Sequence, residues 1–396
     1  MRSDRLRGLD GIRGLAALGV LLHHVWWYED ASSRSLPGFH SALADDVFAH
    51  LRLGVTVFFV LSGFLLYRPF VRASLTCGAT PSYRRYFLSR TLRIVPAYWV
   101  ALAATVLLLF HGLAATDPGA ILRNALFGQI YVDTPQIVVP AWTLCIEVSF
   151  YLALPFLALG IARYARGAGD LRGRALRHCV ALGLVAGLSL GYWMLRANGL
   201  VPPLNLAAYI SEFIPGMVLA TLYEWRAAAG ERLVAPRLVP VLPVAGLALA
   251  VAATLATTED ATRIWTTDFF GLVFYEFLIA CSFALILAAI VARPEGRGAG
   301  FLSSRTMAWL GAVSYGFYLW HQPLLNALRE RGVLLPDEAR YFAVNVLFVL
   351  VPSLLLAAAS WRWVERPALR LKERAPAPTA PVAPPGTALA AGEPGG

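Results

Sequence analysis

The sequence predicts an all-α fold: a polytopic integral membrane protein of about ten transmembrane helices with both termini in the cytoplasm. Three observations lead there. Hydrophobic residues fill 58% of the 396 positions and charged residues only 15%, against about 45–50% and about 25% in soluble domains. Apolar stretches of membrane length recur from end to end. The arginines gather in alternate connections while acidic residues favour the others, the asymmetry that arises when basic loops stay in the cytoplasm. The same distribution accounts for the net charge of +10 without nucleic acid as a partner.

The expected spans are 9–28, 48–67, 94–113, 141–162, 178–195, 204–223, 238–257, 268–292, 307–328 and 341–361. The first has an arginine-rich start, but its far end holds His23, His24 and three aromatic residues, which is poor material for a cleaved signal peptide. Between spans two and three lie Arg68, Arg72, Arg84, Arg85, Arg90 and Arg93 with no acidic residue among them. The first four read as topology signals that meet anionic headgroups. Arg90 and Arg93 differ, because three residues apart at a helix mouth they share a face. Two guanidiniums on one face make a fork suited to phosphate oxygens.

The outside connections, 29–47 and 114–140, are too short for a folded module, and Leu122–Tyr131 within the second reads as a short interfacial helix. Residues 371–396 are Pro, Ala and Gly with little else, a disordered cytoplasmic tail. Residues 1–370 therefore form one membrane domain. No internal repeat is evident, which counts against a transporter of inverted halves. Cys77, Cys145, Cys179 and Cys281 show neither disulfide nor zinc spacing. No metal site is expected, and Cys145 reads as a small packing residue.

The first span carries the strongest functional signal. Arg13 and His24 stand eleven positions apart, a step that turns through about 1100° and climbs about 16 Å in an α-helix. Both side chains therefore lie on one stripe. Ionisable groups inside a bilayer are costly unless they serve a function. On position alone Arg13 has bland alternatives, snorkelling to lipid phosphate or pairing with Asp10. His23 points about 100° away from His24 and reads as a packing or assisting residue.

These features resemble the membrane-bound acyltransferase-3 family of bacterial O-acyltransferases. The resemblance runs over about residues 5–366 through five motifs in order: Leu9-Asp-Gly-Ile-Arg13 with His24, Phe58–Leu65, Arg90-x-x-Arg93-Ile-x-Pro96, Trp142–Tyr151 around Glu147, and Ser314–Pro323 around His321. Glu147 is flanked by Ile146 and Val148, where the family often has polar residues. The resemblance is to stand-alone members without an extracytoplasmic hydrolase-like domain. It implies transfer of an acyl group, usually acetyl, from cytoplasmic acyl-CoA to a hydroxyl of a carbohydrate or a sugar-bearing natural product. The acceptor would be a surface polysaccharide or a macrolide-like metabolite, and the location the cell membrane.

Depth is an independent check on those motifs. His24 lies about 22 Å and His321 about 21 Å from the cytoplasmic edge, and Glu147 about 9 Å below the outer edge of a core about 30 Å thick. All three reach one level. In the mechanism this supports, Arg90, Arg93 and Arg13 hold the donor phosphates, and His24 is the general base. Glu147 orients or stabilises the imidazole, and His321 supports it or binds acceptor. Glu212 and Glu276 reach the same level and read as acceptor-binding, with pairing to Arg52 an equal alternative. Acyl-CoA is a donor substrate, and no permanently bound cofactor is expected. The rival class is a secondary transporter or flippase, which would give no reason for an arginine fork below a deep histidine.

Overall fold

The computed structural model describes residues 8–33, 47–110, 112–132, 134–197, 205–256, 269–336 and 339–372. Most of the expected tail, residues 373–396, lies outside them. All ten expected spans are helices. They are α1 (Leu9–Ser33), α2 (Gly54–Leu75) and α3 (Tyr83–Leu109), then, after a short α4 (Pro118–Ala125), α5 (Trp142–Ala165), α6 (Leu171–Ala197) and α7 (Leu206–Ala228). The last four spans are α8 (Val241–Ala256), α9 (Phe269–Ala292), α10 (Arg305–Glu330) and α11 (Ala339–Ser360). Among the described residues there is no strand.

Seven stretches are long and apolar enough to cross a membrane by length and composition. The other three are α1 and α10, which carry the polar motifs, and α8, whose apolar run Val241–Leu255 is shorter.

Several boundaries differ from the sequence reading, and two of them bear on the site and its surroundings. Helix α3 starts at Tyr83, well before the expected 94, because Ser82 caps it by accepting the Arg85 N–H at 3.5 Å. Arg90 and Arg93 therefore sit about two and three turns inside the helix and not at its mouth. The expected Leu122–Tyr131 helix is instead Pro118–Ala125, capped by Asp117 accepting the Ala120 N–H at 2.9 Å with Pro118 at its first position. It is tied down: buried Asn124 donates to Pro135 O at 2.9 Å and accepts on its carbonyl from the Tyr98 hydroxyl at 2.8 Å.

Two parallel helix pairs organise the core, and glycine sets both. In α1 and α10, Gly14 abuts Gly311 and His24 meets His321, the latter 297 positions on. A Cβ on Gly311 would fall 2.0 Å from Asp10 O, so only glycine allows this approach. In α2 and α7, a Cβ on Gly63 would fall 2.2 Å from Phe213 O, and one on Gly216 2.0 Å from Val60 O. Small residues are what let membrane helices close to backbone contact. Spans one and nine, and likewise two and six, must run the same way for these pairs to be parallel.

At one end of the second pair, Arg68 and Arg72 each donate to Glu224 at 2.7 Å, and Glu224 is only 3% exposed. This corrects the headgroup reading for those two arginines. Four apart on α2, they share a face, and that face is turned to α7. His178 of α6 is bound nearby by the Tyr67 hydroxyl at 2.6 Å and the Ser74 hydroxyl at 2.8 Å.

Candidate active site

Five of the predicted residues, Arg13, Glu147, His24, Glu212 and Glu276, line two neighbouring chambers. The first is a small cavity of about 30 Å³ lined by Arg13, Val55, Phe58, Glu147, Tyr315 and Tyr318 among others. Arg13 lies 5.7 Å from the centroid of the Phe58 ring, and Arg93, Glu147 and Tyr151 are within its electrostatic reach. Arg90 is within reach of Arg93, Tyr151 and Glu147. All three arginines expected at the donor phosphates are thus brought together from two helices.

Glu147 accepts from Ser62 Oγ at 2.8 Å on one oxygen and from the Tyr151 hydroxyl at 3.2 Å on the other. One further carboxylate, missed in the sequence, joins this group. Glu365 is 4% exposed, accepts from Ser360 Oγ at 3.0 Å and faces Arg93 and Arg13. It is delivered by a π-turn, Trp361–Glu365, of the kind that re-aims side chains at functional positions. Its sequence signal was a carboxylate directly after the last apolar run. Three guanidiniums meet Glu147 and Glu365 here, and exposed Asp10 is also within reach of Arg13. The Nε atoms of Arg13 and Arg90 are buried without a hydrogen-bond partner. Buried cationic donors without a partner in a membrane protein call for an anion.

The second chamber, about 100 Å³, is lined by His23, His24, Arg52, Trp142, Glu212 and Glu276 among others. Val55 and Tyr318 line both chambers and form the wall between them. The Tyr318 hydroxyl is held 3.0 Å from Thr143 Oγ1 and 3.3 Å from Pro140 O.

His24 and His321, expected at one depth, are in contact. His321 Nδ1 lies 2.8 Å from Tyr318 O, and its Nε2 lies 3.1 Å from His24 Nδ1, which is itself 2.9 Å from Val20 O. The hydrogen-bond pattern assigns the tautomers of the two neutral rings. A carbonyl oxygen only accepts, so His321 carries its proton on Nδ1 and offers a lone pair at Nε2. His24 must then carry its proton on Nδ1, shared between Val20 O and His321. That leaves His24 Nε2 as the basic atom. His23 bonds Phe48 O at 3.0 Å and packs edge-on against the His24 ring.

The expected pairing of Glu147 with His24 is not what the structure brings together. The partners of His24 are Val20 and His321, while Glu147 serves the other chamber. Equal depth fixed the level but not the direction each side chain faces. Glu212 and Glu276 do meet. Glu276 pairs with Arg52 at 2.8 Å, and Glu212, 3% exposed, is hydrogen-bonded with Thr56 and Glu276. Both the pairing with Arg52 and the cavity-facing placement are therefore realised. Arg52 keeps Nη2 buried and without a hydrogen-bond partner. Cys145 is buried, 3.3 Å from Ala141 O, and is a packing residue.

Comparison with known proteins fits this arrangement. Residues 6–362 match the acyltransferase-3 family, described as an acyltransferase domain. Nodulation protein 10 of Rhizobium leguminosarum bv. viciae is 27% identical over 93% of this chain and 95% of its own length. The peptidoglycan O-acetyltransferase OatA of Listeria monocytogenes is 23% identical over 91% of this chain and 55% of its own length. The O-acetyltransferase OatA of Staphylococcus aureus is 23% identical over 91% of this chain and 57% of its own length. The chain thus spans little more than half the length of the two OatA relatives. No solved structure matches it. The clustered cations, the buried histidine pair and a family match over nine-tenths of the sequence agree: this chain belongs to the acyltransferase-3 family of membrane acyltransferases.

Proposed function

We propose that this protein moves an acyl group, most simply acetyl, from a cytoplasmic acyl-CoA to a hydroxyl of a carbohydrate or sugar-bearing acceptor inside the bilayer. The observation that carries the reading is the fixed tautomer of His24. Its Nδ1 proton is held by Val20 O and His321, so Nε2 is the lone pair aimed at chemistry.

Arg13, Arg90 and Arg93 hold the donor's phosphates by charge-assisted hydrogen bonds. The neutral arm of the donor passes the Tyr318–Val55 wall and brings its thioester to His24. The acceptor hydroxyl gives its proton to Nε2 while its oxygen attacks the thioester carbon. The carbon–sulfur bond then breaks, and the departing thiolate takes the proton from the imidazolium. His321 keeps the ring in register, the orienting part first expected of Glu147. Glu147, with Ser62 and Tyr151, sets the field around the arginines. Glu212, Glu276 and Arg52 bind acceptor hydroxyls. Both termini lie in the cytoplasm and the protein resides in the cell membrane.

The test is transfer of label from radiolabelled acetyl-CoA to a glycoside by protein in lipid nanodiscs. Label should appear in an O-acyl ester and free CoA should be released. A transporter or flippase would leave acetyl-CoA untouched, and that result would refute the proposal.

A further inference from the structure

A third cavity belongs to neither chamber. It holds about 390 Å³, within the size range of small-molecule sites. Its walls are Leu15 and Gly19 of α1, Phe283 and Leu287 of α9, and Leu51 and Leu53 of the short 3-10 turn before α2, with His50 at one end. Apart from His50 the lining is aliphatic or aromatic. A site with so little polar character cannot hold a sugar or a phosphate, since a polar group buried there without a partner is costly. It suits a hydrocarbon chain.

What makes it more than a lipid-facing crevice is its junction with the acceptor chamber. The turn Leu51–Leu53 faces both ways: Leu51 and Leu53 line the apolar groove, while Arg52 between them lines the polar chamber and pairs with Glu276. The His50 ring at the groove's end lies 5.8 Å from that of Tyr275, the neighbour of Glu276. One ligand with an apolar tail and a polar head would therefore span a single turn of backbone. Arg52 Nη2, buried and unsatisfied, lies on the polar side of that turn. It is a donor awaiting an acceptor oxygen.

We propose that the acceptor is a saccharide attached to a long hydrocarbon chain, with the chain in the Leu15–Leu53–Phe283 groove and the sugar beside Arg52 and His24. This rests on the acyl-transfer reading for its chemistry but not for its binding. The groove side of α1 has room to test it. A Cβ on Gly19 meets nothing closer than 3.5 Å, so a side chain can start there in ordinary contact with Leu51, and Gly19→Leu adds its bulk at the groove wall. Leu15→Trp narrows it from the same helix by a half-exposed position. Leu188→Trp, on a lipid-exposed face of α6, is the control.

Two readouts separate the claims. In nanodiscs, dodecyl glucoside with a diazirine in its chain should cross-link to peptides containing Leu15–Gly19 or Phe283–Leu287. Excess dodecyl glucoside should suppress that labelling at least tenfold, and phosphatidylcholine or free glucose should not. With acetyl-CoA as donor, dodecyl glucoside should show a KM at least tenfold below that of methyl glucoside. Gly19→Leu and Leu15→Trp should erase that advantage, and Leu188→Trp should keep it. Equal labelling by a diazirine phosphatidylcholine, or equal KM values for the two glucosides, would overturn the proposal. Groove labelling with no transfer to either glucoside would uphold the binding site and refute the acyl-transfer reading instead.

Discussion

The two chambers on either side of Tyr318 are built on opposite electrostatic plans. On the arginine side, three guanidiniums are clustered and two of them keep a buried Nε without a partner. On the histidine side, one guanidinium meets two carboxylates: Arg52 takes Glu276 and keeps only Nη2 without a partner, and Glu212 bonds with Thr56 and Glu276. An unmatched charge in a low-dielectric site is a demand for a counter-ion. A paired set offers directional hydrogen bonds to a neutral guest. The comparison teaches that two adjoining chambers of one bundle can be fitted to guests of different charge, as the proposed division between a polyanionic donor and an uncharged acceptor requires.

Four substitutions break or sharpen that contrast. Removing the base should have the largest effect: His24→Ala lowers kcat for acetyl transfer about 10²–10⁴-fold while acetyl-CoA still binds, measured by single-turnover assay and equilibrium binding. Next, Arg93→Ala removes a charge-assisted contact worth about 1.5–3 kcal/mol. The KM for acetyl-CoA then rises about tenfold to a hundredfold with the acceptor KM unmoved. A matching rise in the acceptor KM would show that the chambers do not divide the substrates. The acceptor side should respond less. Glu276→Gln weakens neutral hydrogen bonds of about 0.5–1.5 kcal/mol, raising the acceptor KM about two- to tenfold and leaving that of acetyl-CoA alone. Equal shifts in both would refute an acceptor role. Smallest in kinetics is Glu224→Ala, which leaves buried Arg68 and half-exposed Arg72 without their shared carboxylate. It should cost about 3–5 kcal/mol of stability, seen as a lower Tm in nanodiscs, with both KM values unchanged in the protein that remains folded.

Hydropathy located the ten long helices, and motif spacing singled out arginines and histidines that the structure brings near one another. What they lacked was rotation. The level of Glu147 follows from counting residues along a helix, but the neighbour it meets depends on how α5 is turned against α2. There Ser62, the lone hydroxyl in an apolar run, takes one of its oxygens. The same gap hid the pairing of Arg68 and Arg72 with Glu224, about 150 positions away with no local signature. The start of α3 was misplaced for another reason. Averaging over a window counts arginines against a helix, whereas Ser82 announces one. The histidine pair was legible because two parallel helices in contact preserve depth, the one coordinate sequence supplies.

The parallel contact of α1 with α10 also sets a schedule. His24 emerges among the first residues of the nascent chain, and its partner His321 is made only after some three-quarters of the polypeptide has been inserted. Until α10 docks, the His24 ring has only Val20 O of its own helix as a hydrogen-bond partner. Co-expressed fragments divided after Ala292 would therefore have to reassemble before the two rings meet.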